Sequence, residues 1–279
     1  MRVITIFSEK GGMGKTTLSI MLASFLAYEK KQKVFACDFD FPGYQMLNTR
    51  ENDLRLISRG IRDLVKLSEG NEFYPIRRVK GRYDGFSKDE LERLVRNFAT
   101  MRDSQDGYLI LDFPGRFLKT DPAYVFLQKG FIDLVVFPID TDRQSITSAL
   151  NMTSIIRGNN QAPPLVSPEV KSTQEILFLW NKENRSERRG SRDWYGDWDR
   201  LFESLDIPVA GARIRDVLIA RRDPDTFGFI RSTTCWPKAN VAKQAPYLVS
   251  IFEEIQSRAD GTWSEAVKQK IYGKQLENQ

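Results

Sequence analysis

The chain begins with a β-rich run, Val3-Ile4-Thr5-Ile6-Phe7, that stops at Ser8-Glu9-Lys10-Gly11-Gly12-Met13-Gly14-Lys15-Thr16-Thr17. It then passes into Leu18, Met21, Leu22, Phe25 and Leu26, apolar residues at the three- and four-residue spacing of a helix. A strand, a glycine-rich loop and a helix in immediate succession leave few folds open. A second apolar run, Lys33 to Asp38 (KVFACD), follows and gives way to Pro42-Gly43. Strand, loop, helix, strand is a βαβ unit, which predicts parallel strands and a right-handed crossover.

The rest of the chain continues the pattern. Further strands are predicted at Tyr108 to Asp112, Ile132 to Pro138, Glu175 to Trp180 and Ile207 to Ile214. Helices are predicted over 53–68, 87–104, 145–157, 194–205, 247–255 and 263–272, with 69–86 and 162–168 as loops and 224–243 irregular. Near-continuous apolar strands separated by helices predict a doubly wound, mainly parallel β-sheet flanked by helices, an α/β fold in one domain over 1–279. The less typical segments are 46–106 and 184–240.

Composition removes several chemistries. The 279 residues contain no histidine, which excludes a Ser-His-Asp or Cys-His triad, His-ligated zinc and a histidine base. Two cysteines, Cys37 and Cys235, are too few for a disulfide framework or a four-cysteine metal site, so a reducing cytoplasm is expected. No apolar stretch is long enough to span a bilayer, and MRVITIF lacks the features of a signal peptide.

The loop has the composition that phosphate binding needs. Gly11, Gly12 and Gly14 let successive N–H groups approach phosphate oxygens without a Cβ in the way, and the helix behind adds unpaired N–H groups and a partial positive charge. Lys15 would reach the β- and γ-phosphates and the Thr16 hydroxyl would ligate Mg²⁺, as in a P-loop NTPase fold. Glu9 stands where the ordinary motif wants its first glycine, and a second lysine, Lys10, precedes Lys15 by five residues.

The string KGGMGKTT resembles the deviant Walker A family, and within it the ParA-type partitioning ATPases, with MinD as a close relative. That resemblance implies ATP and Mg²⁺ as ligands, bound by Gly11, Gly12, Met13, Gly14, Lys15, Thr16 and Thr17. It also implies an ATP-dependent homodimer in which Lys10 reaches the nucleotide of the other subunit. Asp38, Asp40 and Asp112 each follow an apolar strand, which places them at the carboxyl edge of the sheet beside the loop. By resemblance Asp38, Thr16 and Asp112 serve the metal and Asp40 positions the hydrolytic water. The family's D-P-Q-G-N segment is replaced here by Asp40-Phe41-Pro42-Gly43-Tyr44. Asn181 and Ile214-Arg215 fall where relatives place adenine contacts.

Residues 54–82 carry Arg55, Arg59, Arg62, Lys66, Arg77, Arg78, Lys80 and Arg82 against Asp63, Glu69 and Glu72, and a second arginine-rich stretch runs from Arg185 to Arg222. Such a surface is either a solvated mixed-charge face or a site for salt-sensitive, non-specific contact with DNA phosphates. ParA-like relatives bind DNA as ATP dimers and await a partner that stimulates hydrolysis, which would put the protein on the nucleoid. Two alternatives stay open. One is a metabolic P-loop enzyme spending ATP on a small acid, as dethiobiotin synthetase does. The other is a MinD-like membrane association through Trp263, Val267 and Ile271, a stripe that is more simply a packed terminal helix.

Overall fold

The computed structural model describes residues 1–60, 72–128, 130–158, 174–183, 193–214, 233–236, 241 and 245–276. Six strands, β1 (Arg2–Ile6), β2 (Val34–Asp38), β3 (Ile76–Arg78), β4 (Tyr108–Asp112), β5 (Leu134–Ile139) and β6 (Glu175–Trp180), form one sheet in the order β3-β2-β4-β1-β5-β6. Every pairing is parallel. β1 therefore lies between β4 and β5, and its carboxyl end opens at the crevice where α/β folds bind ligands.

Among the described residues eight α-helices cover the sheet: α1 (Lys15–Ser24), α2 (Gln45–Ser58), α3 (Lys88–Ser104), α4 (Pro122–Gln128), α5 (Arg143–Gly158), α6 (Trp194–Ser204), α7 (Pro246–Ala259) and α8 (Glu265–Leu276), with a π-helical turn over Phe25–Glu29 after α1. Strand alternation divides the core in two. Ile4, Ile6, Leu134 and Val136 face α1 and α7, whereas Val3, Phe7, Val135 and Phe137 face α3 to α6. Burial on both faces explains why the strands read as unbroken apolar runs. α3 starts where Ser87 and Glu90 form a reciprocal capping box, and α6 where the Asp193 carboxylate accepts from the Gly196 N–H.

Four boundaries differ from expectation. α2 starts at Gln45 rather than 53, because the chain turns into helix directly after the 40–44 loop. The 69–86 loop contains the three-residue edge strand β3, too short to leave an alternating pattern. α4 was not anticipated; its seven residues are nearly all apolar and carry no period. Ile207 to Ile214 is not a strand. It runs beside β6 through one parallel bridge at Val209, and Pro208, which has no N–H, interrupts any ladder.

A buried polar network ties residues 233–236 to α2. The Asp53 carboxylate accepts from the Thr234 N–H and hydroxyl (both 2.6 Å) and from the Thr233 hydroxyl (3.2 Å). Arg50 donates to the Thr234 hydroxyl (2.7 Å) and the Tyr74 carbonyl (2.8 Å), its guanidinium lying over the Phe73 and Tyr74 rings. Asp53→Ala should lower the unfolding free energy by about 2–4 kcal/mol, since it strands several buried donors. Leu54→Ala, at a residue 46% exposed on the same helix, should stay within about 0.5 kcal/mol of the parent. Denaturant titration of the two variants checks this.

Candidate functional site

The loop after β1 adopts the conformation its glycines allow. Gly12 and Gly14 have φ of 72° and 76°, and Gly14 is the residue that opens α1. Its carbonyl accepts the Leu18 N–H (2.8 Å), so the first turn of α1, with Lys15, Thr16 and Thr17, sits directly on the loop. The unpaired N–H groups of that turn face the loop's concavity. Gly11 is exposed and open, and Met13 is fully buried beneath the loop.

Asn181 supports the loop from below. Its side-chain amide donates to the Met13 carbonyl (2.7 Å) and accepts from the Lys182 N–H (2.9 Å), so both polar ends are engaged within the chain. The Ile214 N–H is bonded to the Trp180 carbonyl one residue before Asn181, and Arg215 lies outside the described residues. Asn181 thus lies under the phosphate loop, while Ile214 runs beside the end of β6 that carries it.

The three aspartates converge from neighbouring strand ends. Asp38 and Asp112 are register partners on β2 and β4 and are both fully buried. Asp38 accepts from the Asp40 N–H (3.0 Å) and the Leu47 N–H (3.0 Å), which fixes the 38–47 turn. Burial raises the Asp38 pKa against these donors. Neither oxygen of Asp112 makes a well-formed hydrogen bond. Burial, then the charge of Asp38, pushes the Asp112 pKa up to about 7, with the Thr16 hydroxyl opposing.

A fully buried carboxylate with no well-formed hydrogen bond, beside a second one, is costly without a cation. Asp112, Asp38 and the Thr16 hydroxyl offer the hard oxygen donors that suit Mg²⁺ or its bound waters. The residues fit that ion.

Lys15 is mostly buried. Burial lowers its pKa, with Asp112 and Asp40 opposing. The chain after β4 passes so close that a Cβ on Gly115 would lie 2.8 Å from Lys15 Nζ. Lys10 points elsewhere. Its ammonium donates to both oxygens of Asp140 (3.1 and 2.8 Å) and to Asp142 (2.9 Å), beyond the end of β5. Burial would lower the Lys10 pKa, but the two aspartates outweigh it and leave it raised.

Sequence reasoning missed Asp140, Asp142, Gly115 and Lys182, whose amine lies 4.0 Å from where a Cβ of Gly12 would be. Asp140 had the same signal as the other aspartates, an acid directly after a strand. Of the basic residues, Arg55, Arg59, Arg77, Arg78, Lys80 and Arg82 are exposed, and Arg62 and Lys66 lie outside the described residues. In the second stretch Arg213 is engaged by Glu183 (3.4 Å) and Asp199 (2.7 Å), and Arg200 by Asp197 (2.5 Å). Arg185, Arg188, Arg189, Arg192, Arg221 and Arg222 lie outside the described residues. Trp263, just before α8, and Val267 and Ile271 on it are half-buried, and the Trp263 ring is covered by Arg258 (4.6 Å). No helix among the described residues is long and apolar enough to cross a membrane.

A family model described as an AAA domain matches residues 1–59. No curated protein matches the chain. Among solved structures, apo McdA from Cyanthece is similar at 15% identity and TM-score 0.61, covering 92% of this chain and 99% of its own. A putative plasmid partition protein from Borrelia burgdorferi, bound to AMPPNP, is similar at 17% identity and TM-score 0.55, covering 90% and 98%. The cell division ATPase MinD of Pyrococcus furiosus is similar at 18% identity and TM-score 0.55, covering 92% and 98%. The chain has the fold of the ParA/MinD-type P-loop ATPases, an α/β sheet flanked by helices.

The raised pKa of Asp112 sets a pH dependence for the protein alone. Folding favours its protonated form, so this contribution to stability is complete below about pH 4 and is lost as pH rises through about 7. Thermal unfolding without metal should show this decline in the parent, and Asp112→Asn should remove it.

Proposed function

We propose that the chain is an ATP-hydrolysing switch of the ParA type, in which ATP and Mg²⁺ join two copies face to face. One observation carries the reading: a single phosphate loop bears two lysines, Lys15 turned inward toward Asp112 and Lys10 held outward at its rim. The backbone N–H groups from Gly11 to Thr17 and the start of α1 bind the triphosphate, with Lys15 beside its outer phosphates. Asp38, Asp112 and Thr16 would hold Mg²⁺, which when bound would offset phosphate charge. Asp40, whose own N–H is anchored on Asp38, positions the water that attacks. That the similar Borrelia partition protein is bound to AMPPNP supports a nucleotide as the ligand.

Lys10 then crosses to the nucleotide of the second copy. Its present grip is on Asp142, half-exposed, and on Asp140, partly shielded, and a partly exposed pairing of this kind is modest enough to exchange for a phosphate. The exposed cations Arg55, Arg59, Arg77, Arg78 and Lys80 suit non-specific binding of duplex DNA, doubled in a pair. DNA binding would place the ATP-bound pair on the nucleoid, and hydrolysis stimulated by a partner protein would release it, as in positioning or transfer of a plasmid or mobile element. The cover on Trp263 favours this reading over membrane association.

Three variants test it. Lys15→Ala should abolish nucleotide binding by calorimetry. Asp40→Ala should bind ATP, remain paired in size-exclusion runs and stay on duplex DNA; a monomeric Asp40→Ala in ATP would refute the switch. Asp140→Asn should free Lys10 and shift pairing in ATP to roughly two- to fivefold lower protein concentration.

A further inference from the structure

A second surface lies beside the site, on the residues that follow β2. The Arg78 guanidinium lies over the Tyr44 ring (5.3 Å), Tyr44 meets Phe41 edge to face (6.0 Å), and Phe41 meets Tyr83 in the same way (4.8 Å). The four side chains form a continuous ladder that ends in solvent, where Tyr83 is 83% exposed.

The ladder is held in place by the chain on both sides. The Tyr44 hydroxyl donates to the Val79 carbonyl (3.0 Å) and accepts from the Gly81 N–H (3.1 Å). Gly81 packs against Phe41 so tightly that a Cβ there would fall 2.2 Å from Phe41 Cβ. Cations flank it. Lys80 is exposed and makes no ion pair among the described residues, while Arg82 is shared with Glu90 (2.9 Å) and Asp84 is the one acid within the 79–86 loop.

We propose that this ladder binds single-stranded nucleic acid, with unpaired bases stacked on Tyr83 and Phe41 and phosphates on Arg78 and Lys80. An exposed ring offers a π face that any base can use, and neighbouring cations track the backbone. A duplex hides its base faces and engages the cations alone. An acidic protein surface would likewise use the charges and leave Tyr83 idle. This goes beyond the duplex binding proposed above.

The test is fluorescence anisotropy of a labelled oligothymidine and of a mixed-sequence duplex of equal length, with the protein free of nucleotide. Tyr83→Ala should weaken oligothymidine binding by about five- to a hundredfold and leave duplex binding within about twofold. Tyr83→Phe should retain the parent affinity. At so exposed a position neither variant threatens the fold. Unchanged oligothymidine binding in Tyr83→Ala overturns the proposal, as does an equal loss on both ligands. It is also overturned if Tyr83→Ala abolishes ATP-dependent pairing, which would assign the face to a second copy. Duplex retention by the parent in ATP tests the switch separately, so the two readings fail independently.

Discussion

Everything at the carboxyl edge of this sheet follows from two buried carboxylates placed side by side. Asp38 and Asp112 are register partners on adjacent strands, fully removed from water, and Asp112 has no well-formed hydrogen bond. Left alone, such a pair opposes folding through desolvation and mutual repulsion. A fold keeps it when a ligand resolves the conflict. The phosphate loop lies directly above, with glycine amides, a helix start and Lys15 offering positive charge to an anion. In the proposed function the site is an electrostatic lock that a cation and a polyphosphate would complete together.

The packing around it makes that arrangement stiff where chemistry needs it. Met13 is buried under the loop and Asn181 bonds its carbonyl, so the loop cannot sag into the core. Each oxygen of Asp38 accepts one N–H, from Asp40 and from Leu47, tying β2 to the start of α2 and leaving further acceptor sites open. α2 in turn is fastened to residues 233–236 by Asp53 and Arg50. Lys10 is the contrast. Among the described residues it is paired with Asp142, half-exposed, and Asp140, more shielded, at the rim of the site, contacts that the proposed second copy would have to displace.

The parts legible in the sequence are those that a short pattern encodes. β1, the glycine loop and α1 are contiguous, and each later strand announces itself by an apolar run. The three aspartates were readable because each follows such a run. What escaped was set by tertiary contact. β3 exists because Pro75 and Val79 bond to β2, and no periodicity marks three residues. Ile207 to Ile214 has strand composition, yet Pro208 withholds a donor and the segment ends as a single bridge. Charge counts left the role of Arg213 open, and contacts decide it: Glu183 and Asp199 hold it against Tyr195. A count cannot tell a paired arginine from a free one.

The central claim is that a triphosphate joins two copies through a lysine that each lends to the other. Sedimentation velocity of Lys10→Ala with ATP and Mg²⁺, beside the parent, addresses it most directly. The account predicts that the parent pairs, and that the variant binds ATP with near-parent affinity yet sediments as a monomer. A variant that pairs as readily as the parent would contradict it.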